Sequence, residues 1–455
     1  MSHDLTEGKI TLPLLKMAAP LVLAASLSVI YVATDAFWLG QLGPAALAAM
    51  TLGAPVLLLV ANALLGIASA GSTLASHFKG AHNERGVNKA AKQTLLAAAA
   101  LSLVLGVLGF FISPSIISLF GAPAAVSADA SAYLTICFAG LFFGTLFSVA
   151  QFILNGLGDT RTPTLVLLGS VLLNFILDPL FINGFGPIPA LGVAGAAWAT
   201  LCTQVLTGAI GVWLLVSGTR GVRVKLLPLD FDFSFFKRLA RLGVPASLEF
   251  SVYQLWRLVE VYVVSWFGIA ALAAYGVSER VLSLLFLPAT GLSIATGVAV
   301  GQNLGAGKRE RAIRVAERGS LLAFMFLLAM TVCVVLFGTA LAGFFVPGET
   351  AVIASAFLFM FLHALSLPFN GVRMTLTNVA RVSGNAVSAL YLSTATIALR
   401  ILVVLLFAYY LGFYGVALTM PVVSLVALVI LYYWFRKSGW WKTRVVEEGE
   451  FAAAD

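Results

Sequence analysis

The chain has 455 residues, of which 60% are hydrophobic and only 10% are charged, and its formal net charge is +8. The mean hydropathy is +1.01. Apolar runs of about 18 residues or more recur from end to end, which excludes a globular protein with a water-facing surface. The runs are continuously apolar and do not alternate in polarity, so they predict membrane-spanning helices rather than a β-barrel.

Polar breaks divide these runs into twelve predicted spans. We place the spans at residues 14–41, 46–77, 92–114, 131–156, 163–183, 191–216, 238–266, 270–302, 318–346, 352–380, 386–411 and 414–436. The predicted fold is therefore an all-α integral membrane protein with twelve transmembrane helices. Three cysteines, Cys137, Cys202 and Cys333, lie inside apolar runs, so the sequence predicts neither a disulfide framework nor a metal site, and no cofactor is expected.

Lysine and arginine indicate the orientation of the spans. The loops after the even-numbered spans carry basic residues such as Lys79, Arg161 and Arg309, whereas the loops after the odd-numbered spans contain no Lys or Arg. By the positive-inside rule, the even-numbered loops and both termini are predicted to be cytoplasmic. Topology thus explains the net charge, and we expect no nucleic-acid partner. The polar N-terminal segment MSHDLTEGKITLPLLK is predicted to be a cytoplasmic lead, because it has no cleavage pattern.

The two halves of the chain resemble each other at a constant separation. Pro20 aligns with Pro245 and Asp35 aligns with Glu260, each 225 positions apart (245 − 20), and the register continues without a gap into the next basic loop. Six spans is an even number, so both halves enter the membrane from the same side. The repeat predicts two homologous six-helix bundles around a central cavity, an arrangement typical of a transporter.

This repeat also defines the predicted domains. We expect an N-lobe at residues 1–216 with spans one to six, and a C-lobe at residues 238–436 with spans seven to twelve. A cytoplasmic linker at residues 217–237 joins the lobes, and residues 437–455 form a cytoplasmic tail.

Three polar residues of the first half suggest a site within the membrane. Asn174 and Asp178 are four residues apart on span five and share a helix face, and Asp35 is the other acid in a span of this half. An ionised carboxylate inside an apolar helix is costly, and two carboxylates in one desolvated pocket can hold a proton. We interpret Asp35 and Asp178 as a proton-coupling pair with Asn174 as a hydrogen-bonding partner. The alternative for Asp178, which precedes Pro179, is a helix end that reaches interfacial water.

Pro20 lies inside span one, where proline deletes a backbone hydrogen bond and clashes with the preceding turn. We expect a kink there. As a functional element, this kink would act as a switch, letting protonation of Asp35 bend span one. The alternative is a static kink that neighbouring helices compensate.

The second half carries charges of both signs within its spans. Glu249, Arg257 and Glu260 lie on span seven, Arg280 follows Glu279 in span eight, and Arg400 lies in span eleven. Because opposite charges are close together in this sequence, we predict that these residues form structural or gating ion pairs.

Several motifs, taken together and in order, resemble one transporter family. They are LLKMAAPLVLAASLSVIYVATDAFWLGQLGPAALAA from span one into span two, NGLGDTRTP and NFILDPLFI before and within span five, and GAGKRERA after span eight. They resemble the multidrug and toxic compound extrusion (MATE) family, particularly its DNA-damage-inducible F-type (DinF-like) prokaryotic branch. The resemblance implies two lobes around a V-shaped cavity in a prokaryotic cytoplasmic membrane, and export of cationic or amphipathic drugs against inward H⁺ or Na⁺. It further implies that Thr200 is a polar residue of the N-lobe cavity.

The sequence therefore predicts a secondary active multidrug exporter coupled to inward H⁺ flow, and not an enzyme. Its expected partners are small-molecule drugs or organic cations and membrane lipid, and we expect a monomer. Two alternatives stay open. One is coupling to Na⁺, since Asp35, Asn174, Asp178 and Thr200 also supply oxygen atoms for a hard cation. The other is a lipid-linked oligosaccharide flippase of the same superfamily, which would favour a strongly basic cavity.

Overall fold

The computed structural model describes residues 5–187, 189–443 and 445. Within them, the chain forms thirteen α-helices and one short 3₁₀ helix. The first four residues of the predicted lead and most of the predicted tail, residues 444 and 446–455, lie outside the described residues.

The helices of the first half are α1 (Thr11–Leu42), α2 (Pro44–Gly80), α3 (Glu84–Ser118), α4 (Ala124–Gly156), α5 (Arg161–Ile182) and α6 (Val193–Val216). Those of the second half are α7 (Phe233–Ser265), α8 (Ile269–Gly305), α9 (Arg309–Phe345), α10 (Thr350–Ala364), α11 (Leu367–Val382), α12 (Ala386–Leu411) and α13 (Phe413–Lys437). The 3₁₀ helix, Trp440–Lys442, follows α13.

Ten of these helices are individually long and apolar enough to cross a membrane. Helices α10 and α11 together form an eleventh span that bends by 46° at the break between them. Pro368 lies in the first turn of α11, where its missing N–H does least harm. Helix α7 is not among these ten helices. It is the repeat equivalent of α1, 225 positions further along the chain, so we count it as the twelfth span; its sequence contains charged residues such as Arg257 and Glu260. The predicted all-α fold with twelve spans is confirmed, with the correction that span ten consists of two helices.

The chain divides into two compact units whose boundaries repeat at the interval seen in the sequence. One unit contains Leu23–Ser247, and the other contains the described residues before and after that range. The two boundaries, after Val22 and after Ser247, are 225 positions apart (247 − 22). Helix α1 up to Val22 therefore belongs with the second half, and α7 up to Ser247 belongs with the first. These boundaries fall inside helices, whereas the predicted domain boundaries lie in the linker.

Equivalent glycines allow close packing at the start of α1 and of α7. In the first unit, a Cβ atom added to Gly66 of α2 would lie 2.6 Å from the carbonyl oxygen of Gly243 in α7. In the second unit, a Cβ atom on Gly291 of α8 would lie 2.9 Å from the carbonyl oxygen of Ala18 in α1. Gly66 and Gly291 are 225 positions apart, as are Ala18 and Gly243. The same close backbone approach, which only glycine permits, thus occurs once in each unit.

A second packing contact repeats with its two residues exchanged. In the first unit, a Cβ atom on Gly71 of α2 would lie 2.9 Å from the Cβ atom of Thr94 in α3. In the second unit, a Cβ atom on Gly319 of α9 would lie 2.8 Å from the Cβ atom of Thr296 in α8. Thr296 is the repeat equivalent of Gly71, and Gly319 is the equivalent of Thr94, 225 positions on in each case. Each unit therefore places one glycine against one threonine, on opposite helices.

Acidic residues hold two polar segments onto the units in the same manner. Before α7, Asp232 forms a 2.7 Å ion pair with Lys89 of α3. Before α1, Glu7 forms a 3.0 Å ion pair with Lys308, the residue that precedes α9. Glu7 and Asp232 are again 225 positions apart. The segment that leads into each half is thus anchored by a carboxylate at an equivalent position.

Candidate functional site

The polar residues predicted on span five lie together in the first unit. Asn174 and Asp178 are one helical turn apart on α5, and the amide nitrogen Nδ2 of Asn174 donates a 3.1 Å hydrogen bond to Oδ1 of Asp178. Both side chains are 0% exposed. The alternative in which Asp178 reaches interfacial water therefore does not describe this structure.

Asp35 of α1 is buried beside them. Its carboxylate is close enough to interact with the side chains of Asp178, Asn174 and Thr200. The structure thus brings together all four residues that the sequence analysis placed in the N-lobe site. One oxygen of each carboxylate, Oδ1 of Asp35 and Oδ2 of Asp178, is buried without a hydrogen-bond partner, as are Oδ1 of Asn174 and Oγ1 of Thr200. Four acceptor-capable oxygens that lack a donor fit a site that takes up a proton or a hard cation.

Neither acid of this cluster forms an ion pair among the described residues. By contrast, the partly exposed carboxylate of Asp159, which follows α4, does form an ion pair: its Oδ2 lies 3.9 Å from Nη1 of Arg220. Two buried like charges without a base repel each other strongly in a low-dielectric medium. A bound proton or cation would remove that repulsion, which makes the pair chemically suited to coupling.

Sequence reasoning missed two neighbours of the acids, Tyr31 and Thr203. The hydroxyl groups of these residues are 2.6 Å apart. Because Thr203 Oγ1 donates its only hydrogen to the carbonyl oxygen of Thr200, the Tyr31 hydroxyl donates to Thr203. Tyr31 precedes Asp35 by one helical turn, so its spacing on span one could have revealed it. Together the two residues link α1 to α6 next to Asp35.

Helix α4 adds a further wall near Asp35. Tyr133 and Cys137, one helical turn apart on α4, both interact electrostatically with Asp35. Tyr133 is buried. These aromatic and sulfur groups add no basic partner for the carboxylate of Asp35.

Pro20 lies within α1, which is helical without interruption from Thr11 to Leu42. It precedes by three positions Leu23, the residue at which α1 passes from the second unit to the first. The role of Pro20 as a kink switch stays a prediction.

The charges of the second half pair differently from the expected set. Arg257 forms a 3.8 Å ion pair with Glu279, and Glu249 forms a 3.5 Å ion pair with Arg381. Arg280 is exposed.

Glu260 and Arg400 form no ion pair among the described residues, although the sequence placed them with the pairing group. Glu260 is buried and accepts a 3.3 Å hydrogen bond from the hydroxyl of Tyr275. Arg400 donates to the amide oxygen of Asn370 at 3.3 Å and lies over the ring of Trp256. Neutral groups therefore make the direct contacts of both charged side chains, and Glu260 and Arg400 interact with each other electrostatically without forming an ion pair.

Comparison with known proteins agrees with this architecture. The MatE family model matches the chain twice, at residues 20–180 and at residues 245–406, so the matches begin 225 positions apart (245 − 20). The double match confirms that the two halves are homologous.

Curated relatives match along most of the chain. The "Probable multidrug resistance protein YpnP" of Bacillus subtilis is 27% identical over 447 residues, which are 96% of this chain and 98% of that protein. The "FAD transporter" of Shewanella oneidensis is 26% identical over 436 residues, 95% of each chain.

A solved structure, "Crystal structure of MATE in complex with MaD3S", superposes with a TM-score of 0.89 at 24% identity and covers 95% of this chain and 97% of that chain. That likeness shows the fold. The two family-model matches together cover more than half of the residues. The chain therefore belongs to the MATE family and is a multi-pass membrane transporter, not an enzyme.

Proposed function

We propose that this protein is a secondary active exporter of amphipathic, cationic compounds, driven by protons that bind Asp35 and Asp178. The observation that carries the proposal is the pair of buried carboxylates beside Asn174, neither of which has a basic partner among the described residues. The similarity to a multidrug resistance protein over nearly the whole chain supports the class of substrate.

The coupling step follows from the charges. With both carboxylates ionised, the pocket attracts an organic cation and repels further negative charge. A proton taken up from outside neutralises one carboxylate, weakens the attraction for the cation and favours its release. One shared proton is sufficient for this change, because either acid then donates to its neighbour.

Pro20 provides a way for this event to reach α1. A proline inside a helix leaves a carbonyl without its usual donor, so the helix bends there at low cost. Asp35 lies fifteen positions (35 − 20) further along the same helix. We propose that a change in the hydrogen bonds of Asp35 alters the bend at Pro20 and the size of the substrate site.

The distribution of basic residues supports an orientation with both termini on the cytoplasmic side. The similarity to proteins of Bacillus subtilis and Shewanella oneidensis supports a prokaryotic cytoplasmic membrane. In that orientation the proton gradient and the membrane potential both drive protons inward. The same carboxylate, amide and hydroxyl oxygens would also suit Na⁺. Coupling to Na⁺ is therefore the competing hypothesis.

Transport in proteoliposomes distinguishes the two ions. We expect efflux of a fluorescent organic cation under an imposed pH gradient and little efflux under an imposed Na⁺ gradient. Asp35→Asn should fold normally, because an amide costs less to desolvate than a carboxylate, but its pH-driven efflux should be lost. Asp129→Asn, which changes an exposed acid of the same half, is the control and should transport like wild type.

Asp178→Asn tests whether the two acids act as one unit. If they share one proton, Asp178→Asn should reduce pH-driven efflux, and the double variant should be no worse than Asp35→Asn alone. Wild-type proton-driven efflux by a well-folded Asp35→Asn protein would refute the mechanism. Efflux driven only by the Na⁺ gradient would support the competing hypothesis, in which the same residues bind Na⁺.

A further inference from the structure

We propose that Arg373 and Arg400, held together by Asn370 in the second unit, bind an oxyanion group, a carboxylate or phosphate, carried by an amphipathic ligand. This inference concerns the substrate class and rests on the proposed export function. Its site is separate from the acids of the first unit, and it predicts that zwitterionic compounds are recognised better than purely cationic ones.

Two guanidinium groups share one neutral acceptor in this cluster. Nε of Arg373 and Nη2 of Arg400 donate to the same amide oxygen of Asn370, at 3.2 Å and 3.3 Å. Asn370 is fixed in turn, since its Nδ2 donates a 3.1 Å hydrogen bond to Oγ of Ser366. Two cations on one uncharged oxygen repel each other, and inside a membrane span that repulsion is weakly screened. An anion bound between them would convert the repulsion into attraction.

No acid of the described residues forms an ion pair with either arginine. Two carboxylates of the second unit already have other partners. Glu249 forms the 3.5 Å ion pair with Arg381 and accepts a 3.2 Å hydrogen bond from Ser393, and Glu260 accepts from Tyr275. Arg400 is 1% exposed, and its Nε has no hydrogen-bond partner. Glu249 acts electrostatically on Arg373, and Glu260 acts on Arg400, but neither carboxylate reaches these guanidinium groups as an ion pair. The cluster therefore retains unused donor capacity at Nε of Arg400.

A cavity adjoins Arg373. It has a volume of about 60 Å³, and Arg373, Thr377, Ser393 and Thr396 form its polar wall. Leucine and isoleucine side chains from α12 and α13 also line it. Guanidinium forks match the planar geometry of carboxylate and phosphate oxygens. The hydroxyl groups of Ser393 and Thr396 already donate to Glu249 and to the carbonyl oxygen of Leu392, so the guanidinium of Arg373 is the charged donor available to a bound oxyanion. The volume suits the charged group of a ligand, and the apolar side chains suit the adjoining part of an amphiphile.

The repeat provides a comparison within the molecule. Helix α12, which carries Arg400, is the fifth span of the second half, and α5, which carries Asn174 and Asp178, is the fifth span of the first. The buried charges on these equivalent helices are opposite in sign. The first half therefore presents acids to a cation, and we infer that the second half presents bases to an anion.

A matched pair of dyes tests the proposal. Rhodamine 110 carries a free carboxylate, and rhodamine 123 is its methyl ester, so the two differ only in the group that the site would bind. We expect purified wild-type protein in non-ionic detergent to bind rhodamine 110 more tightly by fluorescence anisotropy. Arg373→Gln should weaken binding of rhodamine 110 by about tenfold or more and leave rhodamine 123 unchanged. Arg373→Lys should restore part of the preference, because it keeps the charge and loses the fork.

Arg381→Gln is the matched control. Arg381 lies on the same helix and is also basic, but it pairs with Glu249 and does not line the cavity. It should leave the difference between the dyes intact. Equal affinity of the wild type for both dyes, or equal loss of both in Arg373→Gln, would overturn the inference.

The oxyanion could come from a transported compound or from an anionic phospholipid. Repeating the measurement in nanodiscs of phosphatidylcholine, with and without phosphatidylglycerol, separates these sources. Loss of the rhodamine 110 preference only with phosphatidylglycerol would assign the site to the lipid head group, provided that Arg373→Gln abolishes the competition. A preference that persists assigns it to the substrate. Binding requires no ion gradient, so failure of proton-driven efflux would refute the proposed coupling without touching this result.

Discussion

Exchange of one glycine and one threonine tests whether the two halves use the same packing. A methyl group added at residue 71, as in Gly71→Ala, would lie 2.4 Å from Oγ1 of Thr94, 2.5 Å from its Cγ2 and 2.9 Å from its Cβ. A change of rotamer can move Oγ1 and Cγ2 but not Cβ, so α2 and α3 must separate. Overpacking of a close-packed interior typically costs about 1–3 kcal/mol.

The second half contains the compensating arrangement, with threonine on the helix equivalent to α2 and glycine on the helix equivalent to α3. We therefore expect the double variant Gly71→Thr with Thr94→Gly to recover most of the stability lost in Gly71→Ala. One helical glycine is removed and one is added, so the helix propensities nearly cancel. The new threonine can also donate to the carbonyl oxygen four residues earlier, as Thr296 does to Leu292 at 2.7 Å.

Thermal unfolding of the purified protein in detergent provides the measurement. For a domain of roughly 150–250 residues, about 1 kcal/mol corresponds to a shift of about 2–4 °C in Tm. Gly71→Ala should thus lower Tm by several degrees, and the double variant should lie close to wild type. A double variant as unstable as Gly71→Ala, or less stable, would show that the exchanged contact in the second half does not transfer, and the reasoning would fail.

Two further predictions concern specific hydrogen bonds. Tyr31→Phe removes the donor of the 2.6 Å bond to Thr203 and should destabilise the protein by about 0.5–1.5 kcal/mol; a double-mutant cycle with Thr203→Val checks this, and additive effects would contradict it. In the segment before α7, a hydrogen bond from Lys89 lowers the pKa of Asp232 below its ordinary value of 3.8. The ion pair therefore stabilises the folded state above that value and is lost as the pH falls through the lower folded pKa. Hydrogen exchange of residues 222–232 should rise over that acidic range in wild type and be high at neutral pH in Lys89→Ala, and equal exchange in the two proteins at neutral pH would contradict it.

Hydropathy predicted the number of spans correctly but placed the first residue of some helices too late in the sequence. Span three was expected to begin at residue 92, yet α3 begins at Glu84, where the side chain of Asn83 accepts a 2.7 Å hydrogen bond from the backbone N–H of Gly86. Span nine was expected at 318, and α9 begins at Arg309. The early turns of both helices are rich in charged residues. Hydropathy identifies the part of a helix that lipid covers, whereas hydrogen bonding and capping determine where the helix starts.

The first-half site was predictable because its information is local. Asn174 and Asp178 share a helix face by spacing alone, and an acid such as Asp35 is conspicuous in an apolar span. The partners of the charges in the second half were not predictable. Whether Arg400 meets Glu260 or Asn370 depends on how α7, α11 and α12 are rotated about their axes, and sequence spacing does not contain that rotation. The first part of α1 packs with the second unit, and the first part of α7 packs with the first unit. The sequence did not predict this arrangement, because it depends on packing between segments that are distant in the chain.

Glu260, the repeat equivalent of Asp35, allows the two halves to be compared directly in function. Its carboxylate is buried, accepts from Tyr275 at 3.3 Å and forms no ion pair among the described residues. In Glu260→Gln, the amide oxygen can still accept from Tyr275 and no ion pair is broken, so protein yield and Tm should stay at or above the wild-type values. If coupling belongs to the first half, pH-driven efflux should also persist in Glu260→Gln, while Asp35→Asn abolishes it. Tyr275→Phe is the companion variant, because it leaves the carboxylate without its donor and should lower Tm more than Glu260→Gln does. If well-folded Glu260→Gln loses pH-driven efflux while Asp35→Asn keeps it, the coupling site lies in the second half. If both variants lose it equally, the two repeated acids act together.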